Sequence, residues 1–281
     1  MLIIDPIVIK KNMLRAEISF VTWAFLIASV SPTLTALRLN LILRLGHVKT
    51  SYTTCIRAML CGSALNLFLP GRGGDLAKVG FLRSDKIVSW GTLTGIILVE
   101  RTLDILALAI IGFITSVALG HKIAAIVSGG VAILAIIGFV LLPKLESLPL
   151  VGQKCKALGE VASKVGKKKI RLAFCFIICC LCWSVNAIIL GLLLKAFDDS
   201  ISLIHSFSVA PPSILVGIVP ISLWGVGTRD GALAYFLQDY TLTENVISAG
   251  FLYTALVYWL LGLIGLPALF FAKRNAEKFP K

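Results

Sequence analysis

The segments 18–37, 123–143, 172–194, 201–228 and 245–272 each run for 20 residues or more without an aspartate, glutamate, lysine or arginine. A helix needs about 20 apolar residues to cross a hydrocarbon core, so these stretches exclude an ordinary water-soluble fold. The rest of the chain agrees: 58% of the 281 residues are apolar and 15% are charged, against roughly 25% charged in soluble domains. The chain reads as an integral membrane protein. Segments 201–228 and 245–272 exceed one simple crossing, and Pro220, Gly225 and Gly227 interrupt the former. Backbone broken at membrane depth is tolerated only where protein or a wet cavity surrounds it.

The formal net charge is +13, but the basic residues lie in short segments between apolar ones. Positive-inside topology and anionic headgroups account for that pattern, and nucleic acid is not expected as a partner. The connection 144–171 holds eight Lys/Arg against two glutamates; it is the only long hydrophilic link and is expected in the cytoplasm. Four of the seven cysteines, Cys175, Cys179, Cys180 and Cys182, fall in one apolar helix and read as small packing residues rather than a redox motif. No signal-cleavage pattern is evident, so the first apolar segment is expected to be a retained helix.

A first helix is expected over 17–37. The stretch "RLNLILRLGHVK" then reads as an interfacial helix or elbow whose Arg38 and Arg44 snorkel to the headgroups. Residues 51–69, the turn "LPGRGGD" and the charged "DLAKVGFLRSDK" suggest a hairpin that enters and returns on one side. Residues 87–120 are too long for one upright crossing, so a tilted, broken or protruding helix is expected. If 144–171 and the basic tail share the inner side, 38–86 opens inward and 201–240 opens outward. Two hairpins entering from opposite faces form an inverted-topology repeat. The letters carry a weak echo of it: "NLFLPGRGGDLAKVGFL" and "GIVPISLWGVGTRDGALAYFL" both run apolar, proline, glycine turn, arginine, acid. Arg72 and Asp75 would then correspond to Arg229 and Asp230. The expected fold is an all-α polytopic membrane protein, one domain over 1–281. It comprises two inverted repeats with re-entrant helical hairpins (17–143 and 172–272) and about six to eight membrane helices. One feature opposes the scheme: Lys10, Lys11 and Arg15 would lie outside, against the positive-inside rule.

Three constellations could carry chemistry. In the first, the turn Pro70, Gly71, Gly73 and Gly74 after Asn66 exposes backbone N–H groups, and Arg72, Lys78 and Arg83 offer cations to an anionic headgroup. Asp75, in the first helical turn, is either a cap or a functional acid. In the second, "VERTLDIL", Glu100 and Asp104 lie four apart on one helical face and Arg101 lies three before Asp104, a spacing suited to an internal ion-pair network. Ionisable groups within a span are costly and by default functional. In the third, "SLWGVGTRDG", Gly225 and Gly227 permit a tight turn, while Arg229 and Asp230 pair locally or meet the first cluster. Trp224 reads as an interfacial anchor. Catalytic signals are poor: His47, His121 and His205 look isolated, and no metal-ligand or nucleotide-binding spacing occurs. No metal or cofactor is expected.

The run "NLFLPGRGGDLAKVGFLR", then "ERTLDILAL", then "VPISLWGVGTRDGALAYFL" resembles the flippase-like family that includes the transmembrane region of bacterial lysylphosphatidylglycerol synthases. The resemblance covers about 17–272. It implies two repeats with membrane-embedded hairpins and a role in moving lipids or lipid-linked sugars between leaflets. Carried over by motif, Asn66, Pro70, Gly71, Arg72 and Asp75 match the first hairpin. Glu100, Arg101 and Asp104 match the acidic–arginine helix, and Gly225, Gly227, Arg229 and Asp230 match the second hairpin. This sequence departs from the family in having aspartate, not the commoner glutamate, at Asp75 and Asp230. It also lacks the further helix that members commonly place before 17–37. The synthases carry an aminoacyl-transferase domain after this region, and none follows here, so aminoacyl-lipid synthesis is not expected.

The expected function is transport, not catalysis: a flippase-like carrier of an anionic phospholipid or polyprenyl-phosphate lipid in the cytoplasmic membrane. Arg72, Arg101, Arg229 and Lys78 would bind the headgroup, and Asp75, Glu100, Asp104 and Asp230 would hold the arginines. The alternative is a non-transporting partner that presents a polyprenyl-linked substrate to a glycosyltransferase or another lipid-synthesis enzyme. An enzyme acting on lipid phosphates is a third class, for which no nucleophile or base is apparent.

Overall fold

The computed structural model describes residues 6–69, 73–84, 88–141, 152–219 and 222–277. Among these residues every regular element is helical. The order is α1 (Pro6–Met13), α2 (Ile18–Leu45), α3 (Tyr52–Asn66), α4 (Gly74–Ser84), α5 (Trp90–Ala118), α6 (Lys122–Leu141), α7 (Gly152–Gly166), α8 (Lys169–Phe197) and α9 (Leu203–Ile218). A 3₁₀ turn (Leu223–Gly225) precedes α10 (Thr228–Leu237), and α11 (Thr243–Thr254) runs through a π turn (Ala255–Trp259) into α12 (Leu260–Glu277). Among the described residues four segments are long and apolar enough to cross a membrane: Ile18–Leu45, Lys122–Leu141, Lys169–Phe197 and Thr243–Leu269.

The long elements differ from the sequence expectation in instructive ways. Helix α2 does not stop at Leu37 for a separate elbow; it continues to Leu45. No proline or glycine breaks "RLNLILRL", and Arg38, expected to snorkel, is buried because acids meet it; Arg44 is exposed as expected. Of the tilted, broken or protruding helix expected over 87–120, only the broken form is excluded: residues 90–118 form one continuous helix of 29 residues, about 43 Å long at 1.5 Å per residue. The basic connection contains α7, whose Val161, Ala162 and Val165 are buried while Glu160 and Lys164 face out. An amphipathic helix therefore replaces the plain hydrophilic link.

The chain forms two compact units. One comprises Met1–Ser31, Ala107–Ala132 and Cys180–Trp259; the other comprises Pro32–Leu106, Ile133–Cys179 and Leu260–Lys281. In the first, α10 packs against α9 and α11, and α1 packs on α11. Its core gathers Ala24, Ala187, Leu190, Leu193, Leu233 and Tyr253. In the second, α3 packs against α4 and α12. Close approach there depends on absent side chains: a Cβ at Gly265 would lie 2.9 Å from the Leu60 carbonyl carbon, and one at Gly262 would lie 2.5 Å from Leu67 Cγ.

Both hairpins begin in the same way. Ser51 accepts from the Thr54 amide ahead of α3, and Ser202 accepts from the His205 amide ahead of α9, each serine satisfying a donor that the helix start leaves open. Helix α9 also contains Pro211 and Pro212. Neither can donate to the carbonyl four residues earlier, which strands the oxygens of Phe207 and Ser208. Hydroxyls from α5 replace the missing donors: Thr115 Oγ1 reaches Phe207 O at 2.8 Å, and Ser116 Oγ reaches Ser208 O at 2.7 Å.

Candidate functional site

Helical spacing puts Glu100, Arg101 and Asp104 of α5 within reach of one another, and α2 supplies a fourth member that the sequence reading left at the interface. Arg38 Nη2 donates to Glu100 Oε1 at 2.8 Å, and its Nη1 donates to Asp104 Oδ1. Arg101 Nη2 donates to the same Glu100 oxygen at 3.2 Å, and its Nη1 lies 3.4 Å from Asp104 Oδ2. Two guanidiniums thus face two carboxylates, and their formal charges cancel. Such a set is tolerable in a low-dielectric interior only because each charge is paired. The members differ in access: the side chains of Arg38, Glu100 and Asp104 are at most 5% exposed, whereas that of Arg101 is 24% exposed. An anion approaching the quartet meets Arg101 first and competes with two carboxylates for it.

In the second hairpin, Trp224, Gly225 and Gly227 all have positive φ (55°, 79° and 94°), a sequence of left-handed residues that aims α10 into the unit. Gly227 immediately precedes α10 and supplies the conformation that L side chains disfavour. Trp224, expected as an interfacial anchor, stacks edge-on against Trp259, which also meets Phe251. The first turn of α10 then carries Arg229 and Asp230, both buried. Arg229 Nε and Nη2 donate to Asp230 Oδ1 at 2.8 and 2.5 Å. Nη2 also reaches Gly250 O at 2.7 Å and Thr254 Oγ1 at 3.0 Å, and the guanidinium lies 4.8 Å from the Tyr253 ring centroid. Gly250 makes room for the acid: a Cβ there would lie 2.6 Å from Asp230 Cγ. This pair is local, as one of the two sequence expectations had it, and it clamps α10 to α11.

In the first hairpin, Gly73 precedes α4 and the Gly74 amide donates to Asn66 Oδ1 at 2.8 Å, so Asn66 closes the turn. Lys78 is buried, and its aliphatic stem passes over Gly62, where a Cβ would lie 3.0 Å from its Cγ and Cε. Asp75 lies in the first turn of α4. Pro70, Gly71, Arg72 and Pro220 lie outside the described residues, as do the side chains of Asp75 and Arg83.

The histidines are not all isolated. His121, before α6, and His205, in α9, approach edge-on at 5.9 Å, and Tyr240 stands 4.9 Å from His205 and 5.9 Å from His121. Their sequence separation hid this meeting. Arg38 was missed for a different reason, since it sits one residue beyond a charge-free segment. The signal that would have found it is the run of leucines continuing without a breaker as far as Gly46. Among the described residues no three His, Cys, Asp or Glu side chains converge as metal ligands do.

Helices of membrane-spanning length, helical hairpins and charge clusters buried within them define a multi-pass membrane protein with polar machinery inside an apolar fold. More specifically, the chain belongs to the family described as the lysylphosphatidylglycerol synthase TM region, which matches residues 3–265. It is also similar to a UPF0104 membrane protein of Pyrococcus horikoshii. The two are 22% identical over 293 residues, covering 91% of this chain and 88% of that protein. Family membership ties the protein to membrane-lipid function.

Proposed function

We propose that this protein is a lipid carrier of the cytoplasmic membrane that moves an anionic phospholipid or polyprenyl-phosphate lipid between leaflets, without making or breaking a bond. The observation that carries this reading is the neutral quartet Arg38, Glu100, Arg101 and Asp104 with Arg101 alone partly open. A phosphate can exchange with the carboxylates for the Arg101 fork, while Arg38 stays paired with both Glu100 and Asp104 and limits the imbalance during the exchange to one charge. The element order supports a repeat, which this reading takes as inverted: a long helix, a serine-capped short helix, a turn, a second short helix and another long helical segment occur as α2 to α5 and again as α8 to α10 followed by α11 and its continuation into α12. In this reading both hairpins are re-entrant, and the Arg229–Asp230 clamp keeps the second one seated instead of contacting the headgroup.

The test is leaflet exchange of labelled phosphatidylglycerol and polyprenyl-phosphate in liposomes holding the purified protein. Exchange by the wild type that falls by about tenfold or more in Arg101→Gln, the loss of one charge-assisted contact, supports the reading. No exchange of either lipid by a folded wild-type protein rejects autonomous transport and favours a partner that presents a lipid to an enzyme.

A further inference from the structure

A third polar place lies away from both charge clusters. A cleft of about 350 Å³ opens between the turn before α6 and the end of α10, lined by Gly120, His121, Lys122, Tyr235, Phe236 and Gln238, with Ile123 and Ala124 beside them. Its polar groups converge from two elements. Lys122, Tyr235 and Gln238 stand exposed at the rim, and His121 Nε2 is buried without a hydrogen-bond partner among the described residues. No carboxylate is among the lining residues, so the cleft carries the charge of Lys122 uncompensated. One wall continues as apolar surface: Ile123 is 51% exposed and Ile126, one turn on, is 73% exposed. They lie on a helix long and apolar enough to cross a membrane. A cation and several donors at the mouth, with bare isoleucines below, match the two ends of a lipid and do not match a wholly soluble anion.

We propose that this cleft is a second anionic-lipid site, in which Lys122 pairs with a phospholipid phosphate. Gln238 and Tyr235 donate to its oxygens, His121 offers an imidazole N–H, and the acyl chain lies along Ile123 and Ile126. The site lies at the N-terminal end of α6, a helix long and apolar enough to cross a membrane. It deepens the carrier reading by giving a transported lipid a place of arrival, and it rests on that reading only for this role.

The test reads Lys122 directly. The full-length protein is placed in phosphatidylcholine nanodiscs with or without phosphatidylglycerol and treated with an amine-acetylating reagent, and the modification rates of Lys122 and exposed Lys49 are compared by mass spectrometry. Phosphatidylglycerol is expected to slow Lys122 acetylation by about tenfold, the size of one charge-assisted contact, and to leave Lys49 much less affected. Tyr235→Phe with Gln238→Leu, both at exposed positions, is expected to remove most of that protection. Equal protection of both lysines, unchanged protection in the double variant, or the same protection by inorganic phosphate in phosphatidylcholine discs would each overturn the proposal. Protection without leaflet exchange sinks the carrier reading and leaves the site, whereas exchange without protection sinks the site alone.

Discussion

Arg38 stands between two carboxylates of α5, and the cost of removing it follows from what is left behind. Arg38→Met leaves Glu100 and Asp104 buried with Arg101 as their one remaining partner in the quartet, an imbalance of one charge. Breaking a buried pair in this way costs about 3–5 kcal/mol, whereas replacing all the charges by neutral groups of similar shape is often close to neutral. The expected outcome is a large drop in Tm in detergent for Arg38→Met, with part of it recovered when Glu100→Gln is added, which leaves Arg101 and Asp104 as a matched pair. A single Arg38→Met variant as stable as the wild type would mean that groups other than Arg38 compensate these acids. Glu100, Arg101 and Asp104 were legible in the sequence because helical spacing fixes their proximity. Arg38 was not, because its partners lie more than sixty residues away.

Helix α9 depends on its neighbour at two consecutive carbonyls. Ser116→Ala removes the donor to Ser208 O and leaves a buried acceptor unpaired, with an expected loss of about 1–3 kcal/mol. Pro212→Ala in the same chain restores an amide donor four residues on and should recover part of that loss, which paired thermal melts would show. At the start of α9 the connections are acid-sensitive. Asp198 accepts from Thr241 Oγ1 at 2.7 Å and from Ser200. Its carboxyl is held below the usual range by the Ser200 hydroxyl first and then by Thr241. Its contribution is therefore full above about pH 4 and is lost as pH falls through its lowered value. His121 is held below its ordinary value by burial first and then by the His205 imidazole. The neutral ring is the favoured form, so its contribution is full above about pH 6.5 and disappears as pH falls through the lowered value. Melting temperature measured against pH should decline in two stages on acidification, and Thr241→Val should shrink the lower one.

At the scale of the whole molecule, each end of α8 is tied to its own neighbours within its own unit. The Glu17 amide donates to Ala196 O at 2.8 Å where α8 ends, and Asn12 Nδ2 reaches Asn245 Oδ1 at 3.0 Å and Ser248 Oγ at 3.1 Å at the start of α11. At the beginning of α8, Lys168 Nζ donates to Leu45 O at 3.1 Å and lies 2.8 Å from His47 Nε2. Lys11, next to Asn12, therefore lies by the start of α11, and Glu17 by the C-terminal end of α8, within one unit. In a background with the native cysteines replaced, Lys11→Cys and Ser200→Cys should react with a membrane-impermeant thiol reagent from one face and Lys167→Cys from the other. Lys11→Cys reacting together with Lys167→Cys would show that α2 does not cross between them.

The sequence by itself determined the membrane class, the helical fold, the position of the two hairpins and the acidic face of α5. Each of these follows from local quantities: the length of a charge-free run, the place of a glycine turn, a spacing of four. Tertiary structure decided which charges meet. It turned Arg38 inward, gave Arg229 to Asp230, Gly250 and Thr254, brought His121 to His205, and replaced the amides missing at Pro211 and Pro212 with hydroxyls from another helix. In an apolar interior a buried polar group must be paired, but its partner is set by which helices pack together, and no local pattern of residues encodes that choice.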